Sequence, residues 1–145
     1  MRFADLDFEL PTGWVEHPNP GGPAEYRPLA DGSTGLLQVS KLPADQVAYL
    51  ATLDSLGPVA VALGQGFGKA GQNWGTSAGY KEGACGLGRF GFALFQGGEF
   101  PAMLLWVTAS ASAGFMWTWL GPNPGASEVM QALGIVLGAR LAPKG

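Results

Sequence analysis

Residues 87–120 read LGRFGFALFQGGEFPAMLLWVTASASAGFMWTWL, and they contain three apolar runs with no helical pattern between them. The runs extend from Leu87 to Gln96, from Ala102 to Thr108 and from Phe115 to Leu120. Gly97-Gly98 follows the first run, and paired glycines readily adopt the positive φ angles of a tight hairpin turn. Consecutive strands without intervening helices form antiparallel sheets, so this region predicts an α+β fold and not a doubly wound α/β fold.

Four further segments outside this region are predicted to be strands. Phe3 to Leu10 alternates acidic and apolar residues with the period of a half-buried strand, and Pro11-Thr-Gly-Trp14 then turns the chain. Glu25 to Pro28 and Leu36 to Leu42 are predicted to pair as a hairpin, because turn-forming residues lie between them. Gln72 to Tyr80 would be the strand that precedes the three central runs.

Two helices are predicted. Pro43 to Leu56 contains good helix formers, and Gly57-Pro58 would stop or kink this helix. Val59 to Leu63 fits either a strand or a new helical turn, because alternating valines favour the first and Pro58 the second. Ser127 is a predicted N-cap of a C-terminal helix with apolar residues at helical spacing. The order strands, helix, strands, helix predicts one domain over residues 1–145, in which an antiparallel sheet packs between helices.

Composition restricts the kind of surface that this chain presents. Hydrophobic residues make up 47% of the chain, but charged residues make up only 13%, about half of the roughly 25% that is usual for soluble domains. Either both faces of the sheet are covered by helices, or part of the apolar surface meets a partner. The net charge is −3 and no Lys/Arg cluster occurs, so we expect no nucleic-acid partner.

Residues 100–127 carry no charge, and their length alone would allow a membrane span. Their centre is small and polar, so two buried strands joined by a loop are expected instead of a span. Asp5 and Asp7 lie where a signal peptide would be apolar, and Cys85 is the only cysteine, so a cytoplasmic location is expected.

Several motifs resemble the PsbP-like domain family, which includes the photosystem extrinsic protein P and a Ran-binding nuclear transport relative. The first are Phe8-Glu-Leu-Pro-Thr-Gly-Trp14, Glu25-Tyr-Arg27 and Leu36-Leu-Gln-Val-Ser40 at the start of the chain. Phe115-Met-Trp-Thr-Trp119, followed by a polar loop and a terminal helix, resembles the end of the same fold. The resemblance covers most of the chain and implies an antiparallel sheet sandwiched between helices. The family is mostly non-catalytic and binds proteins, and its partner-binding residues match no position of this chain.

The sequence predicts no catalytic, cofactor-binding or metal site. Gly66-x-Gly68-x-x-Gly71 mimics a dinucleotide fingerprint, but the residues after it form a poor helix, whereas the fingerprint must open one. His17 and Cys85 are single residues of their kinds, and nothing in the sequence brings them together as a nucleophile pair. One histidine and one cysteine are also too few for a zinc shell.

Acidic and aromatic residues give two candidate interaction features. Asp5, Asp7 and Glu9 would share one strand face. This face could bind a basic partner, but the favoured interpretation is the solvated face of an edge strand. Five tryptophans in 145 residues are many. Two alternatives stay open for the strand that holds Trp117 and Trp119: its rings belong to the core, or they form an exposed binding or dimerisation surface. The candidate surface comprises Trp14, Phe115, Trp117 and Trp119.

These observations favour a non-catalytic protein-interaction module that binds an unidentified protein partner or a second copy of itself as a homodimer. The alternative is a domain that binds a small apolar ligand between sheet and helix. An enzyme of unknown type comes third, because it would need His17 and several carboxylates in one cleft.

Overall fold

The computed structural model describes residues 2–3, 6–17, 23–28, 35–66, 72–74, 80–96, 102–121 and 127–141. A small antiparallel sheet contains β1 (Arg2–Phe3), β2 (Leu6–Asp7) and a strand that follows the last helix. The other eight strands that the described residues form make up the main sheet. They are β3 (Trp14–His17), β4 (Ala24–Pro28), β5 (Leu36–Lys41), β6 (Gln72–Trp74), β7 (Lys81–Ala84), β8 (Arg89–Gln96), β9 (Ala102–Ala109) and β10 (Gly114–Gly121).

The main sheet has the spatial order β3-β4-β5-β10-β9-β8, and both β6 and β7 pair with β8. All of its described pairings are antiparallel. The last strand of the chain, β11 (Arg140–Leu141), pairs with β2 and completes the small sheet.

Helices cover both faces of the main sheet. Helices α1 (Ala44–Ala51) and α2 (Gly57–Gly66) pack on one face, against β8 and β9. Helix α3 (Ser127–Gly138) packs on the other face, where its buried residues share a core with the inward residues of β4, β5, β9 and β10. The fold is therefore α+β, an antiparallel sheet between helices. The apolar composition is explained in part by these two covered faces.

The central predictions are confirmed. The strands β8, β9 and β10 form a meander, with Gln96 paired with Ala102 and Gly114 paired with Ala109. Gly97-Gly98 itself lies outside the described residues. The hairpin of β4 and β5 also forms, and the predicted C-terminal helix is present, although Ser127 is its first residue and not the N-cap before it.

The other predictions of local structure had mixed outcomes. Phe3 to Leu10 is not one strand, because the chain reverses between β1 and β2, where Phe3 pairs with Leu6. The first helix ends at Ala51, and the question of Val59 to Leu63 is settled in favour of a helix, α2. Within 72–80, residues 72–74 form β6 and residues 75–79 lie outside the described ones. The sequence missed β3 and β7, which are short and mostly exposed.

The α1–α2 junction lies close to the sheet because β8 carries a glycine beneath it. A Cβ atom built on Gly91 would lie 2.2 Å from the carbonyl oxygen of Leu56 and 2.7 Å from the amide nitrogen of Gly57. These distances are too short for any side chain, so only glycine allows this approach of backbone to backbone.

Glu82 of β7 binds the start of α2. Its Oε2 atom accepts hydrogen bonds from Ser55 Oγ at 2.5 Å and from the amide nitrogens of Leu56 and Gly57 at 3.0 and 3.2 Å. The Ser55 hydrogen bond is the largest of the effects that hold the pKa of Glu82 below its usual value, and the Gly57 amide comes next. The carboxylate thus lies at the positive end of the helix dipole.

Arg89 of β8 binds the end of α1. Its guanidinium donates to the carbonyl oxygens of Leu53 at 2.8 Å and of Leu50 at 3.1 Å. A cation at this position offsets the negative end of the helix dipole. Glu82 and Arg89 therefore hold the two helix ends that meet at residues 52–56.

Candidate interaction surface

The candidate aromatic surface lies in the core. Phe115 and Trp117 are fully buried, Trp119 is 1% exposed and Trp14 is 7% exposed. Residues 115, 117 and 119 alternate along β10 toward the face that α3 covers, so these rings pack under the helix. The alternative in which these four side chains form an exposed binding surface was wrong for this fold, and the core alternative was right.

Aromatic contacts connect the first strands to this core. Phe8 packs edge-on against Tyr26 and Trp117, with ring centroids 5.2 and 5.7 Å apart. Trp14 packs against Trp119 at 5.8 Å and donates from its indole nitrogen to Gln131 Oε1 of α3 at 3.0 Å. Together, these contacts fill the space between the sheet and α3.

A different surface is exposed on the opposite face, at the end of the sheet away from α1 and α2. We name it the open polar face. It consists of Val15 and His17 on β3, Glu25 and Arg27 on β4, and Gln38 and Ser40 on β5. Val15 is 38% exposed, His17 and Arg27 are exposed, and the other three are half-buried. These side chains lie opposite to Trp14 and Tyr26, because successive residues of a strand point to opposite faces.

One row of this face crosses four strands. His17 is paired with Glu25, Glu25 with Gln38, and Gln38 with Thr118 of β10. Gln38 Nε2 donates to Glu25 Oε2 at 2.6 Å, and Thr118 Oγ1 donates to Gln38 Oε1 at 3.4 Å. Hydrogen bonds across the strands therefore fix the positions of the inner polar groups, while His17 lies at the outer end of the row.

The sequence did not predict this row, because none of the predicted strands included His17. Residues that are 8 to 80 positions apart along the chain become neighbours only through the register of four strands. Once β3 is known to pair with β4, strand alternation places Val15 and His17 on the face opposite to the buried Trp14.

The other candidate residues are not brought together. His17 lies on β3, whereas Cys85 follows β7 and is half-buried. Five strands of the sheet lie between β3 and β7, namely β4, β5, β10, β9 and β8. Gly66 is the last residue of α2, whereas a dinucleotide fingerprint would open a helix, and Gly68 and Gly71 lie outside the described residues.

The acidic residues of the first strand are also separated. Asp7 is half-buried in β2 and paired with Arg140 of β11, whereas Glu9 is exposed beyond the strand. Asp5 lies outside the described residues. In the part of the chain that the structure describes, no group of three or more His, Cys, Asp and Glu side chains could hold a metal ion.

Two cavities lie away from the open polar face. One of about 500 Å³ lies between the segment from Asp7 to Glu9 and helix α3, beside Gly134, Gly138 and Arg140. Another of about 290 Å³ lies at the α1–α2 junction, beside Glu82 and Arg89. His17 lines neither cavity. Among the described helices, none is long and apolar enough to cross a membrane.

Comparison with known proteins identifies the fold alone. No family model and no curated protein matches the sequence. Solved structures that match include LpqN of Mycobacterium tuberculosis, described as involved in cell envelope biogenesis, at 12% identity and a TM-score of 0.54. The match covers 95% of this chain and 83% of LpqN.

Two further structures show the same similarity. Cyanobacterial PsbP (CyanoP) from Synechocystis sp. PCC 6803 matches at 11% identity and a TM-score of 0.53, over 94% of this chain and 86% of that protein. A protein from Bacteroides thetaiotaomicron VPI-5482 matches at 14% identity and a TM-score of 0.51, over 97% of this chain. This chain spans under half of the Bacteroides protein, 46% of its length. The fold is thus similar to that of PsbP.

Proposed function

We propose that this protein is a non-catalytic protein-interaction module that binds a polypeptide on the open polar face, alongside β3. The observation that carries the proposal is the hydrogen-bonded row of Glu25, Gln38 and Thr118, which ends at the exposed His17. Ordered polar groups lose little side-chain entropy when a partner binds, so such a row favours binding.

The position of β3 supports a partner in extended conformation. Among the described residues, β3 pairs only with β4, so its other side is an edge of the main sheet. An edge strand presents N–H and C=O groups that an incoming strand can pair with, while the adjacent side chains provide specificity. Here those side chains are Val15 and His17 on β3, with Glu25 and Arg27 on the next strand.

The partner should carry both polar and charged groups. Arg27 and Glu25 present opposite charges on one strand, and Gln38 and Ser40 offer hydrogen-bonding groups beside them. A segment with one acidic and one basic residue would complement this arrangement, and such complementarity contributes to specificity more than to affinity.

We also propose that the chain is a member of the PsbP-like family. The motifs from Phe8 to Trp14 and from Phe115 to Trp119 support membership, as does the similarity of fold to CyanoP. Membership would agree with an interaction role, although fold similarity by itself carries little functional weight.

Capture of a partner from the extract of the source cells tests the proposal. Arg27→Glu and Gln38→Ala should each reduce recovery of a partner that the unchanged protein binds by about tenfold, the effect of losing one or two good contacts. The matched controls are Lys81→Glu on β7 and Gln65→Ala on α2, both exposed and on elements that contact β8, at the other end of the main sheet from β3. They should leave recovery unchanged.

A partner recovered equally with all four variants would contradict the open polar face as the binding surface. Hydrogen exchange on the complex provides a second measurement, because partner binding should protect the backbone amides of residues 14–17. Binding of a small apolar ligand would appear instead as a change in tryptophan fluorescence on addition of a hydrophobic probe, without dependence on Arg27.

A further inference from the structure

Backbone hydrogen bonds determine which residues of β3 can bind an incoming strand. In an antiparallel pair, residues that exchange two hydrogen bonds with their partner alternate with residues that exchange none. The N–H and C=O groups of one residue therefore point to one neighbouring strand, and those of the next residue point to the opposite side. Residues of β3 that point away from β4 lie at the open edge of the main sheet, because β4 is the only strand that pairs with β3 in the described part of the chain.

The direction of these groups follows from the strands next to β3. The amide of Leu42 donates to the carbonyl oxygen of Gly114 at 2.9 Å, directly beyond the last pair of the ladder between β5 and β10. Even-numbered residues of β5 therefore bond to β10, and its odd-numbered residues bond to β4. Tyr26 of β4 pairs with Leu37 of β5, so the even-numbered residues of β4 bond to β5.

The same alternation continues from β4 to β3. Glu25 and Arg27 are the residues of β4 that remain to bond to β3, and their partners there are His17 and Val15. The residue between these two partners is Glu16. Its N–H and C=O groups therefore point away from β4, toward the open edge.

Trp14 supports this assignment independently. Its amide nitrogen donates to the carbonyl oxygen of Pro11 at 3.1 Å, and its partner on β4 is Pro28, which has no N–H group. Trp14 and Pro28 thus form a pair without mutual hydrogen bonds, as the alternation requires. Glu16 is consequently the residue of β3 that offers both backbone groups to an incoming strand, and among the described residues neither group has another partner.

The side chains of β3 add a pattern to this backbone pairing. In an antiparallel pair, the residue opposite Glu16 exchanges both hydrogen bonds with it and points its side chain to the same face. Glu16 is exposed, so a basic residue complements it. Val15 is 38% exposed and favours a branched apolar residue opposite it. The imidazole of the exposed His17 favours a carboxylate, which would lie on the face that also carries Arg27.

We propose that the partner segment pairs antiparallel with β3 through the backbone of Glu16, and that it carries an acidic, a basic and a branched apolar residue in that order. The order follows because an antiparallel strand meets His17 first, then Glu16 and then Val15. All described pairings of the main sheet are antiparallel, which favours this direction. The inference rests on the proposed function, because it specifies the partner of the same edge.

Amide hydrogen exchange of the free protein tests the backbone assignment without any partner. The amide of Glu16 should exchange at least about tenfold faster than the amides of Val15 and His17, which bond to β4. Exchange at Glu16 that is as slow as at these two neighbours would overturn the proposal.

Binding of a short peptide tests the pairing itself. The probe is the acetylated and amidated peptide Thr-Thr-Glu-Lys-Val-Thr-Thr, and its binding is followed by NMR titration of isotope-labelled protein. N-methylation of its lysine removes the N–H that donates to the carbonyl oxygen of Glu16 and should weaken binding at least about tenfold. N-methylation of its valine is the matched control and should leave the affinity unchanged, because that N–H points away from β3. An unmodified peptide that does not bind, or equal effects of the two modifications, would overturn the proposal.

Exchange of charge separates this inference from the proposed function. Glu16→Lys should weaken binding of the probe and should bind a peptide with glutamate in place of the lysine, whereas Lys81→Glu on β7 should change neither affinity. Failure of both peptides, together with partner capture that depends on Arg27, would overturn the pairing at Glu16 and leave the proposed function in place. Peptide binding through Glu16, with capture that is independent of Arg27, would do the reverse.

Discussion

The indole nitrogen of Trp117 on β10 donates a 3.0 Å hydrogen bond to the hydroxyl of Thr108 on β9, and both side chains are buried. Thr108→Val keeps the shape of the side chain but removes the acceptor. The variant should be less stable by about 1 to 3 kcal/mol, the cost of leaving a buried N–H group without a partner. Urea unfolding followed by tryptophan fluorescence measures this difference.

The variant Trp117→Phe provides the control for this bond in a double-mutant cycle. In the Trp117→Phe background, Thr108→Val should lower the free energy of unfolding by less, because no indole N–H then requires an acceptor. An equal cost in both backgrounds would mean that the hydroxyl of Thr108 stabilises the core through a different contact.

The hydroxyl group of Tyr26 should contribute no stability. It is fully buried and, like the indole nitrogens of Trp106 and Trp119, has no hydrogen-bond partner among the described residues. Tyr26→Phe removes this group and leaves the ring against Phe8, so the variant should be equally stable or more stable by about 1 kcal/mol. A loss of stability in urea unfolding would indicate that the hydroxyl does have a partner.

Burial, with a smaller contribution from the Glu16 carboxylate, raises the pKa of Tyr26 to about 12 from its usual 10.0. The unfolded chain therefore loses this proton first, and stability should decline as pH rises from about 10 to about 12. Tyr26→Phe should reduce that decline. Thermal unfolding of both proteins across this range measures the difference.

The stability of the protein in acid should depend on Glu82. Its pKa is lowered in the folded protein, chiefly by the hydrogen bond from Ser55 and then by the amide of Gly57. The contribution of Glu82 is therefore present above the unfolded pKa of 4.5 and is lost as pH falls through the lower folded value. Glu82→Gln should lower the melting temperature at neutral pH and flatten its decline in acid. Ser55→Ala should have a smaller effect of the same sign, and a parallel decline in all three proteins would contradict this role.

The sequence predicts those parts of the fold that local patterns determine. Paired glycines and apolar runs predicted the meander that contains β10, and helical spacing after Ser127 predicted α3. Alternation also correctly predicted that Leu6 and Phe8 are buried and Glu9 exposed, although the strand itself is broken.

The candidate surface depends on relationships that local patterns do not contain. The orientation of Trp117 depends on which face of the sheet α3 covers, and that position is set by the whole chain. The row from His17 to Thr118 requires the register of four strands. The contact of Glu82 with the start of α2 joins residues that are 25 to 27 positions apart, with no sequence motif that marks it.

Alanine should have opposite effects at two glycines whose surroundings differ. At Gly91 a Cβ atom would lie 2.2 Å from the Leu56 carbonyl oxygen, so Gly91→Ala must displace the α1–α2 junction and should cost more than about 2 kcal/mol. At Gly134 the space is open, so Gly134→Ala should stabilise the monomer by about 0.5 to 1 kcal/mol through its higher helix propensity. Urea unfolding at low protein concentration measures both values without a contribution from self-association. A destabilised Gly134→Ala monomer would mean that the glycine is needed inside the chain, and a neutral Gly91→Ala would mean that the junction does not pack closely on β8.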